Sequence, residues 1–358
     1  MPTFRAPGRA NLIGEHTDHT DGLVLPAAID RAVTLEVEFG GSRITLRSAD
    51  AHGGVDVAAD GSETPKAGWG RYVAAIAAEL AAVGREPVGC RGELRSDLPQ
   101  GAGLSSSAAL EVVLALALAD AGGLALPPLE LAALCRRAEH RAVGVPSGIM
   151  DQAASLLGRE GHAILLDCGT LAYRHVPLPE DHALLLIDSG VRRELASSAY
   201  GQRTQELRSA LPVLGGRRPA DVDPAEVAEL TAELDAVRAR RLRHVVTENA
   251  RVREAEAALH ADDLDRLGRV FAAGHASLRD DFEVSIPELD LLVDLAGRAG
   301  ATAARMTGGG FGGAIIALAR RDRADAIGET VLAGYADRHP DRDAAVHVCD
   351  AAAGAGHA

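Results

Sequence analysis

Residues 97–109 constrain the fold and chemistry of this chain more than any other segment. They read Asp-Leu-Pro-Gln-Gly-Ala-Gly-Leu-Ser-Ser-Ser-Ala-Ala and lead into an apolar run that predicts a helix over 105–121. Glycine allows backbone N–H groups to approach an anion closely, and the helix directs its free N–H groups and positive dipole end at the same place. The segment therefore predicts a phosphate cradle in front of a buried helix.

This cradle differs from the common phosphate loop, which reads G-x-x-x-x-G-K-[ST] and requires a lysine. Lys66 is the only lysine in the chain, and it lies upstream in a polar segment. A nucleotide bound here would be held by backbone amides, by the hydroxyls of Ser105, Ser106 and Ser107, and by a metal ion.

The order of predicted elements indicates an α+β fold. The chain has 358 residues, 47% of them apolar, which is enough for two domains. Helical runs are segregated from antiparallel strand patterns, and the regular alternation of a Rossmann sheet is missing. We place the boundary near 165–180, a polar stretch that contains Pro177 and Pro179, and assign an N-terminal domain to 1–170 and a C-terminal domain to 171–358.

Net charge and cysteine usage exclude several classes of function. The net charge is −14, which argues against nucleic-acid partners and anionic membranes. The four cysteines match no zinc or disulfide spacing, as expected for reduced thiols. No signal peptide and no membrane-length apolar run is apparent. We therefore expect a cytoplasmic protein.

Local periodicity predicts individual elements. Residues 31–39 read as a strand, with 43–47 as its hairpin partner across Gly40-Gly41. Ser147 reads as the N-cap of a helix over 148–157, and the Ala/Gly tail at 351–358 is expected to fray. Other predicted helices span 69–83, 128–142, 194–211, 224–235, 243–260, 262–277, 287–299 and 322–336, and other strands span 91–95, 162–166, 183–188, 301–306, 314–319 and 344–348.

Residues 8–26 crowd carboxylates and imidazoles between apolar segments. Glu15, His16, Asp18 and His19 would line a pocket that offers donors and acceptors to several sugar hydroxyls. A solvated loop is the simplest alternative. A metal site at the two histidines is a further alternative, although it lacks an obvious third ligand.

Two further segments carry candidate chemistry. Residues 139–152 place Glu139 near the end of one helix and Asp151 near the start of the next, so that one carboxylate would hold Mg²⁺ and the other would face a substrate hydroxyl. Ordinary surface or capping charges are the alternative. Residues 305–313 form a glycine-rich loop between strands, which suits close approach to a ligand or simply a flexible hairpin.

Taken together and in this order, the three segments resemble the motifs of the GHMP small-molecule kinases. Within that family, Gly8-Arg9-x-Asn11-Leu12-Ile13-Gly14-Glu15-His16-Thr17-Asp18 is similar to the galactokinase signature. The likeness continues at 195–203, 244–249 and 278–290 and covers essentially the whole chain. It implies a two-domain fold in which helices cover mixed or antiparallel sheets, with the active site in the cleft between the domains.

The resemblance also implies an activity, phosphorylation of the C1 hydroxyl of α-D-galactose by ATP with Mg²⁺, and roles for individual residues. Asp151 would face the hydroxyl, as a base or as an orienting charge, with Arg9 beside it to keep it ionised. The sugar would be held by Glu15, His16, Asp18, Gly148 and Tyr200. The nucleotide would be held by Gly101, Ala102, Gly103, Leu104, Ser105, Ser106, Ser107 and Trp69, and the metal by Ser107 and Glu139.

The resemblance leaves two alternatives open. His19 stands where the family usually has tyrosine, so the substrate could be a related sugar such as N-acetylgalactosamine, also phosphorylated at C1. A non-catalytic sensor of galactose and ATP is the alternative from another class, although it need not keep the serines, Glu139 and Asp151 together. The expected partners are the two small-molecule substrates, with the chain acting as a monomer.

Overall fold

The structure, a computed structural model, describes residues 1–50, 53–66, 68–99, 103–144, 147–192 and 196–358. Strands and helices in these residues occur mostly in separate runs. The strands are β1 (Thr3–Asn11), β2 (Leu23–Val24), β3 (Pro26–Phe39), β4 (Arg43–Ser48), β5 (Gly54–Ala58), β6 (Cys90–Ser96), β7 (His162–Asp167), β8 (Tyr173–Pro177), β9 (His182–Asp188), β10 (Ala303–Met306), β11 (Ala314–Arg320), β12 (Ala345–Cys349) and β13 (Gly356–His357). The α-helices are α1 (Gly70–Ala82), α2 (Ser106–Ala121), α3 (Pro128–Val143), α4 (Met150–Leu157), α5 (Ala196–Ala210), α6 (Val227–Leu230), α7 (Ala236–His260), α8 (Leu264–Asp280), α9 (Pro287–Ala299) and α10 (Ala324–Ala336).

The strands form three sheets. One has the order β13-β1-β3-β6-β4-β5 and is mixed, because β4 and β6 are parallel while the other neighbours are antiparallel. A four-stranded sheet has the order β10-β11-β9-β12, and a three-stranded sheet has the order β2-β7-β8; both are antiparallel. The predicted α+β class, with mixed or antiparallel sheets, is confirmed.

Helix α2 is the centre of the N-terminal layer. It contacts β1 and β3 of the mixed sheet and is surrounded by α1, α3 and α4. Its sequence is almost entirely apolar and mostly buried, as expected for a helix enclosed on all sides. Because α2 is fixed in this way, the loop at its N-terminus is held against the strand that carries the first motif.

The C-terminal helices pack around the four-stranded sheet and along the first motif. Helices α9 and α10 pack against each other and against β10, β11 and β12. The long helix α7 packs against α5 and α8 and also reaches β2 and β8. None of the described helices combines the length and apolar character needed to cross a bilayer.

Helix predictions are confirmed where end signals agree with periodicity. Helix α3 begins with Pro128 and ends at Gly144, which has a φ of 73°. Proline suits the first turn because it lacks a free N–H, and glycine accepts the left-handed conformation that ends a helix. Helices α1, α2 and α9 also match their predicted spans within one residue at each end.

The predicted hairpin between 31–39 and 43–47 is wrong. Strand β4 pairs with β5 and, in parallel, with β6, which lies between β3 and β4. The backbone of Gly89 exchanges hydrogen bonds of 2.8 Å with Gly40 and Gly41, so these glycines bond to an entering strand and do not close a turn. A side chain at Gly89 would overlap the backbone of Arg43.

Three other predictions differ from the structure. Residues 224–235 form only a single 3₁₀ turn and the four-residue α6, and α7 begins at Ala236 and not at 243, because Asp235 caps it by accepting from the Arg238 N–H at 2.9 Å. The tail is ordered, because β13 pairs with β1 and the ring of His357 lies 4.4 Å from that of Phe4. The chain thus ends on its N-terminal sheet.

Candidate active site

A cavity of about 310 Å³ brings together three of the segments identified from the sequence, namely 8–26, 139–152 and 305–313. It is bounded by β1 and the loop after it, by the end of α3 and the start of α4, by α5, and by the glycine loop between β10 and β11. Its lining residues are Arg9, Glu15, His16, Asp18, Glu139, Ser147, Gly148, Met150, Asp151, Tyr200, Gly308, Gly309 and Gly310. Residues from both halves of the chain therefore share one site.

Arg9 and Asp151 form a bidentate ion pair at the wall of this cavity. Arg9 Nε and Nη2 donate to the two carboxylate oxygens of Asp151 at 2.8 and 2.9 Å, and Nη1 donates to the carbonyl of Gly103 at 2.6 Å. The hydroxyl of Ser105 also donates to Asp151 Oδ2. The Asp151 side chain keeps 31% of its surface exposed, so it is held rigidly and still faces the cavity.

The phosphate loop turns sharply into α2. Ser105 has a φ of 54°, a left-handed conformation that costs a non-glycine residue free energy and is often found at functional sites. Leu104 is buried, and its carbonyl accepts from the Arg9 N–H at 3.2 Å, which joins the loop to β1. Gly101 and Ala102, which we predicted to line the phosphates, lie outside the described residues.

A second cavity of about 510 Å³ lies on the other side of the serine run. Ser106 and Ser107 line it, together with Trp69 and Tyr72 from the start of α1 and Leu110 from α2. The three consecutive serines thus have different surroundings: Ser105 donates to Asp151 at the wall of the first cavity, while Ser106 and Ser107 line the second cavity with the aromatic side chains. This places Trp69 at the cavity that adjoins the phosphate loop.

Glu139 lies just before the last turn of α3 and lines the first cavity. It accepts hydrogen bonds from Ser147 Oγ at 2.5 Å and from Gln152 Nε2 at 3.2 Å. Burial raises its pKa, and the bond from Ser147 opposes that shift. Ser107, predicted as its partner for a metal, lines the second cavity instead.

The prediction that Ser147 caps α4 is wrong. The helix begins at Met150, and no side chain caps it. Ser147 instead uses its hydroxyl for Glu139, and its N–H donates to His140 Nε2 at 2.8 Å. Ser147 is therefore a cavity residue that periodicity misassigned, since a serine before a helix gives the same sequence signal in either role.

Asp18, Gly148, His16 and Tyr200 lie together at the other end of the first cavity. Asp18 is packed so closely against Gly148 that a side chain there would overlap its carboxylate. The ring of Tyr200 lies 5.5 Å from that of His16. Burial and the charges of Asp18 and Asp151 raise the pKa of Tyr200, which keeps its hydroxyl a donor. This end of the cavity thus offers both donors and acceptors.

His19 does not share this lining. Its side chain is buried, and Nδ1 lies 3.8 Å from Asp18 Oδ1. Its ring lies 6.1 Å from that of His16. Nowhere in the described part of the chain do three or more His, Cys, Asp or Glu side chains gather in a way that would hold a metal. His19 therefore lies beside Asp18 without facing the cavity itself.

Glu15 reaches the cavity from a buried ion cluster that sequence reasoning missed. Arg305, at the end of β10, donates to Glu15 Oε2 at 2.7 Å and to Glu248 Oε1 at 2.6 Å. Burial raises the pKa of Glu15 to about 7, although the charge of Arg305 opposes the shift. The available signal was that both partners lie in or beside conspicuous segments, 244–249 and 305–313.

Glu111 is a buried acid near Glu139, and its protonation predicts how the stability of the fold depends on pH. It lies on α2, and Gln152 Nε2 donates to it at 2.9 Å. Burial and the negative charge of Glu139 raise its pKa to about 9. The folded chain therefore binds this proton more tightly than the unfolded chain, and stability falls as the pH rises from the ordinary carboxyl pKa to about 9.

We expect Glu111→Gln to remove this decline. The Tm of the variant relative to the unsubstituted chain should rise by about 2 °C or more between about pH 5 and pH 9, since one pKa unit corresponds to about 1.4 kcal/mol. Thermal unfolding without metal or nucleotide measures this, with the exposed Glu93→Gln as the control. A Tm difference that does not change with pH would contradict the assignment.

Comparisons with known proteins agree with this geometry. The chain matches the GHMP kinases N terminal domain over 71–159, the galactokinase galactose-binding signature over 2–39 and the GHMP kinases C terminal domain over 255–337. It is 42% identical to a galactokinase of Roseiflexus sp. (strain RS-1), over 98% of this chain and 92% of that protein.

Solved structures give the same answer. The crystal structure of Lactococcus lactis galactokinase complexed with galactose matches with a TM-score of 0.95 and 34% identity, covering 100% of this chain and 95% of that chain. Mevalonate kinase of Methanococcus jannaschii matches with a TM-score of 0.69 at 18% identity, covering 98% of each chain, which shows the shared fold alone. The chain therefore belongs to the galactokinase family, whose members are ATP-dependent sugar kinases with the GHMP kinase fold.

Proposed function

We propose that this chain transfers the γ-phosphoryl group of ATP to the C1 hydroxyl of α-D-galactose, giving galactose 1-phosphate and ADP. The observation that carries the proposal is the Arg9–Asp151 pair, because Ser105 of the phosphate loop bonds directly to the same carboxylate. One carboxylate is thereby joined to the phosphate loop and exposed in a cavity with sugar-binding chemistry.

The sugar would be held at the Asp18 end of the cavity. A hexose presents several hydroxyls, each of which donates and accepts, so it needs both kinds of partner. Asp18 and Glu15 supply acceptors, Tyr200 supplies a donor, and the absence of a side chain at Gly148 leaves room for the Asp18 carboxylate packed against it. The volume of about 310 Å³ suits one small ligand.

In the reaction, Asp151 would accept the hydrogen bond of the C1 hydroxyl and aim its oxygen at the γ-phosphorus. Phosphoryl transfer depends mainly on alignment and on neutralising charge at the phosphoryl oxygens. Arg9 supplies a permanent cation beside that path, and its fixed fork holds Asp151 in one orientation. This role stands whether Asp151 takes the proton early or late in the transfer.

The nucleotide would lie across the serine run, with its phosphates on the N–H groups at the start of α2 and its base towards Trp69. Ser105, Ser106 and Ser107 would contact the phosphates together with the backbone of 101–104. Magnesium prefers oxygen ligands and usually takes few from the protein. Glu139 at the first cavity would supply a carboxylate, and Ser107 at the second cavity would supply a hydroxyl. When bound with ATP, the ion would neutralise charge on the phosphates.

The function is tested by ADP release with galactose, glucose, galactosamine and N-acetylgalactosamine side by side. We expect galactose to give the highest kcat/KM. A preference for N-acetylgalactosamine would instead support a kinase that phosphorylates that related sugar at C1. Calorimetric binding of galactose and ATP without any ADP release would support a sensor and refute the proposed activity.

Trp69→Ala tests the nucleotide end separately. We expect the KM for ATP to rise about tenfold, because an aromatic side chain that lines the second cavity is lost, while the KM for galactose stays within about twofold. Steady-state kinetics with each substrate varied in turn measures this. Tyr173→Ala, at an exposed aromatic, is the control; an unchanged KM for ATP would place the base elsewhere.

We further propose the two-domain division at residue 170, a monomeric state and a cytoplasmic location. The division is supported by a cavity whose lining changes from residues 9–151 to residues 200–310. The pairing of β13 with β1 returns the end of the second domain to the first.

A further inference from the structure

Helix α7 carries a motif that the proposed reaction does not use. Residues 244–249 read His-Val-Val-Thr-Glu-Asn, and three of their side chains contact the backbone of the loop that carries Glu15 and His16. Glu248 Oε1 accepts from the Gly14 N–H at 3.0 Å, and Asn249 Oδ1 accepts from the Leu23 N–H at 2.7 Å. His244 Nε2 lies 3.2 Å from the Glu15 carbonyl. The motif thus brackets the loop from Gly14 to Leu23.

Glu248 of the same motif belongs to a buried ion cluster that also contains Glu15, which lines the sugar cavity. Arg305, Glu15 and Glu248 have side chains that are at most 1% exposed, and Arg305 Nη2 bridges the two carboxylates. Arg251 Nε completes the cluster by donating to Glu248 Oε2 at 2.7 Å. Two guanidinium groups therefore balance two carboxylates, a balance that buried charges require.

The second oxygen of Glu15 shows what the cluster positions. Oε1 accepts from Asn11 Nδ2 at 2.9 Å and from the Gly308 N–H at 3.4 Å, beside the cavity. Gly308 belongs to the glycine loop that follows Arg305 on the chain. Arg305 therefore fixes the position of Oε2 of Glu15 by a direct hydrogen bond. Strand β10, which carries Arg305, also leads into the glycine loop that contacts Oε1.

We propose that Arg305 and Glu248 are positioning residues for sugar binding, which hold the loop of Glu15 and His16 in place and, through their opposite charges, set how readily the Glu15 carboxylate ionises as an acceptor towards the sugar. The inference deepens the proposed function and rests on it for the identity of the sugar. This inference gives a positioning role to residues 244–249 and to Arg305, which precedes the glycine loop.

The charges around Glu15 predict the direction in which its titration should shift when each neighbour is replaced. The groups that face it are Arg305 from β10 and Glu248, Arg251 and His244 from α7. The charge of Arg305 lowers the pKa of Glu15, whereas the charge of Glu248 raises it. Burial lowers the pKa of His244 to about 4, so this imidazole is neutral near pH 7 and contributes little. Removing Arg305 or Glu248 should therefore shift the titration of Glu15 in opposite directions.

The experiment compares Arg305→Gln, Arg305→Lys and Glu248→Gln by the pH profile of kcat/KM for galactose, which reports groups of the free enzyme. We expect the acidic limb to move up by about one pH unit or more in Arg305→Gln and down in Glu248→Gln. In Arg305→Gln the KM for galactose should rise about tenfold, with the KM for ATP within about twofold. Arg305→Lys should restore part of both effects, and Arg279→Gln, at an exposed Arg–Asp pair, should show neither.

Folding and substrate identity are controlled independently. If Arg305→Gln does not fold, Glu248→Gln, which preserves side-chain shape, still has to shift the limb downwards. If the unsubstituted chain does not phosphorylate galactose, the proposed function fails, and the carboxyl ¹³C titration of Glu15, identified by its loss in Glu15→Gln, tests the inference without a substrate. Folded variants with unchanged titration of Glu15, or with shifts in the same direction, would overturn it.

Discussion

Asp151→Asn is expected to lower kcat with galactose by about 10²-fold or more while sugar binding stays measurable. The amide has the same shape, but it carries no charge and offers one acceptor oxygen where the carboxylate offers two. Three donors converge on this side chain, two from Arg9 and one from Ser105. The variant would therefore misdirect these donors and leave Arg9 without its counter-charge.

The measurement is steady-state kinetics together with calorimetric binding of galactose. Asp280→Asn is the matched control, because Asp280 is also bound by both arms of an arginine, at 2.8 Å each, but on the exposed surface. Near-normal turnover in Asp151→Asn would remove this carboxylate from the mechanism.

Gly148→Ala is expected to raise the KM for galactose about tenfold or more, with a much smaller effect on the KM for ATP. The added Cβ would overlap the carboxylate of Asp18, and it would also lie 2.7 Å from Asp18 Cβ. Rotation of the carboxylate alone cannot relieve that second contact, so Asp18 must move away from the sugar.

Gly297→Ala in α9 is the control, because nothing lies within 4 Å of the added methyl group there. The two variants are compared by Tm and by the KM for each substrate. An unchanged KM for galactose in a folded Gly148→Ala variant would show that Asp18 does not need its present position.

Local signals predicted those parts of the fold in which each signal has one meaning. Pro128 and Gly144 mark the two ends of α3, and the apolar run after Ser105 gives a helix that is buried on all sides. The hairpin at Gly40-Gly41 failed because two glycines also suit a close approach by another strand. Only the three-dimensional structure distinguishes these two uses.

The candidate site shows the same division between local and distant information. Apart from Tyr200, the residues that line the first cavity lie in three dense segments, so sequence patterns identified most of them. The buried ion cluster behind Glu15 could not be predicted from those patterns, because the Glu15–Arg305 contact joins residues from opposite ends of the chain. A buried arginine beside a glycine loop reads as any other charge until its partners are known.

The position of the transferred phosphate shows which hydroxyl of galactose this chain phosphorylates. The purified chain is incubated with ATP, Mg²⁺ and galactose, and the product is examined by ³¹P NMR for coupling to the sugar protons. If Asp151 aims the C1 hydroxyl at ATP, we expect a single phosphate ester whose phosphorus couples to the anomeric proton. A phosphorus coupled to the C6 methylene protons, or ATP left intact in the presence of galactose, would contradict this expectation.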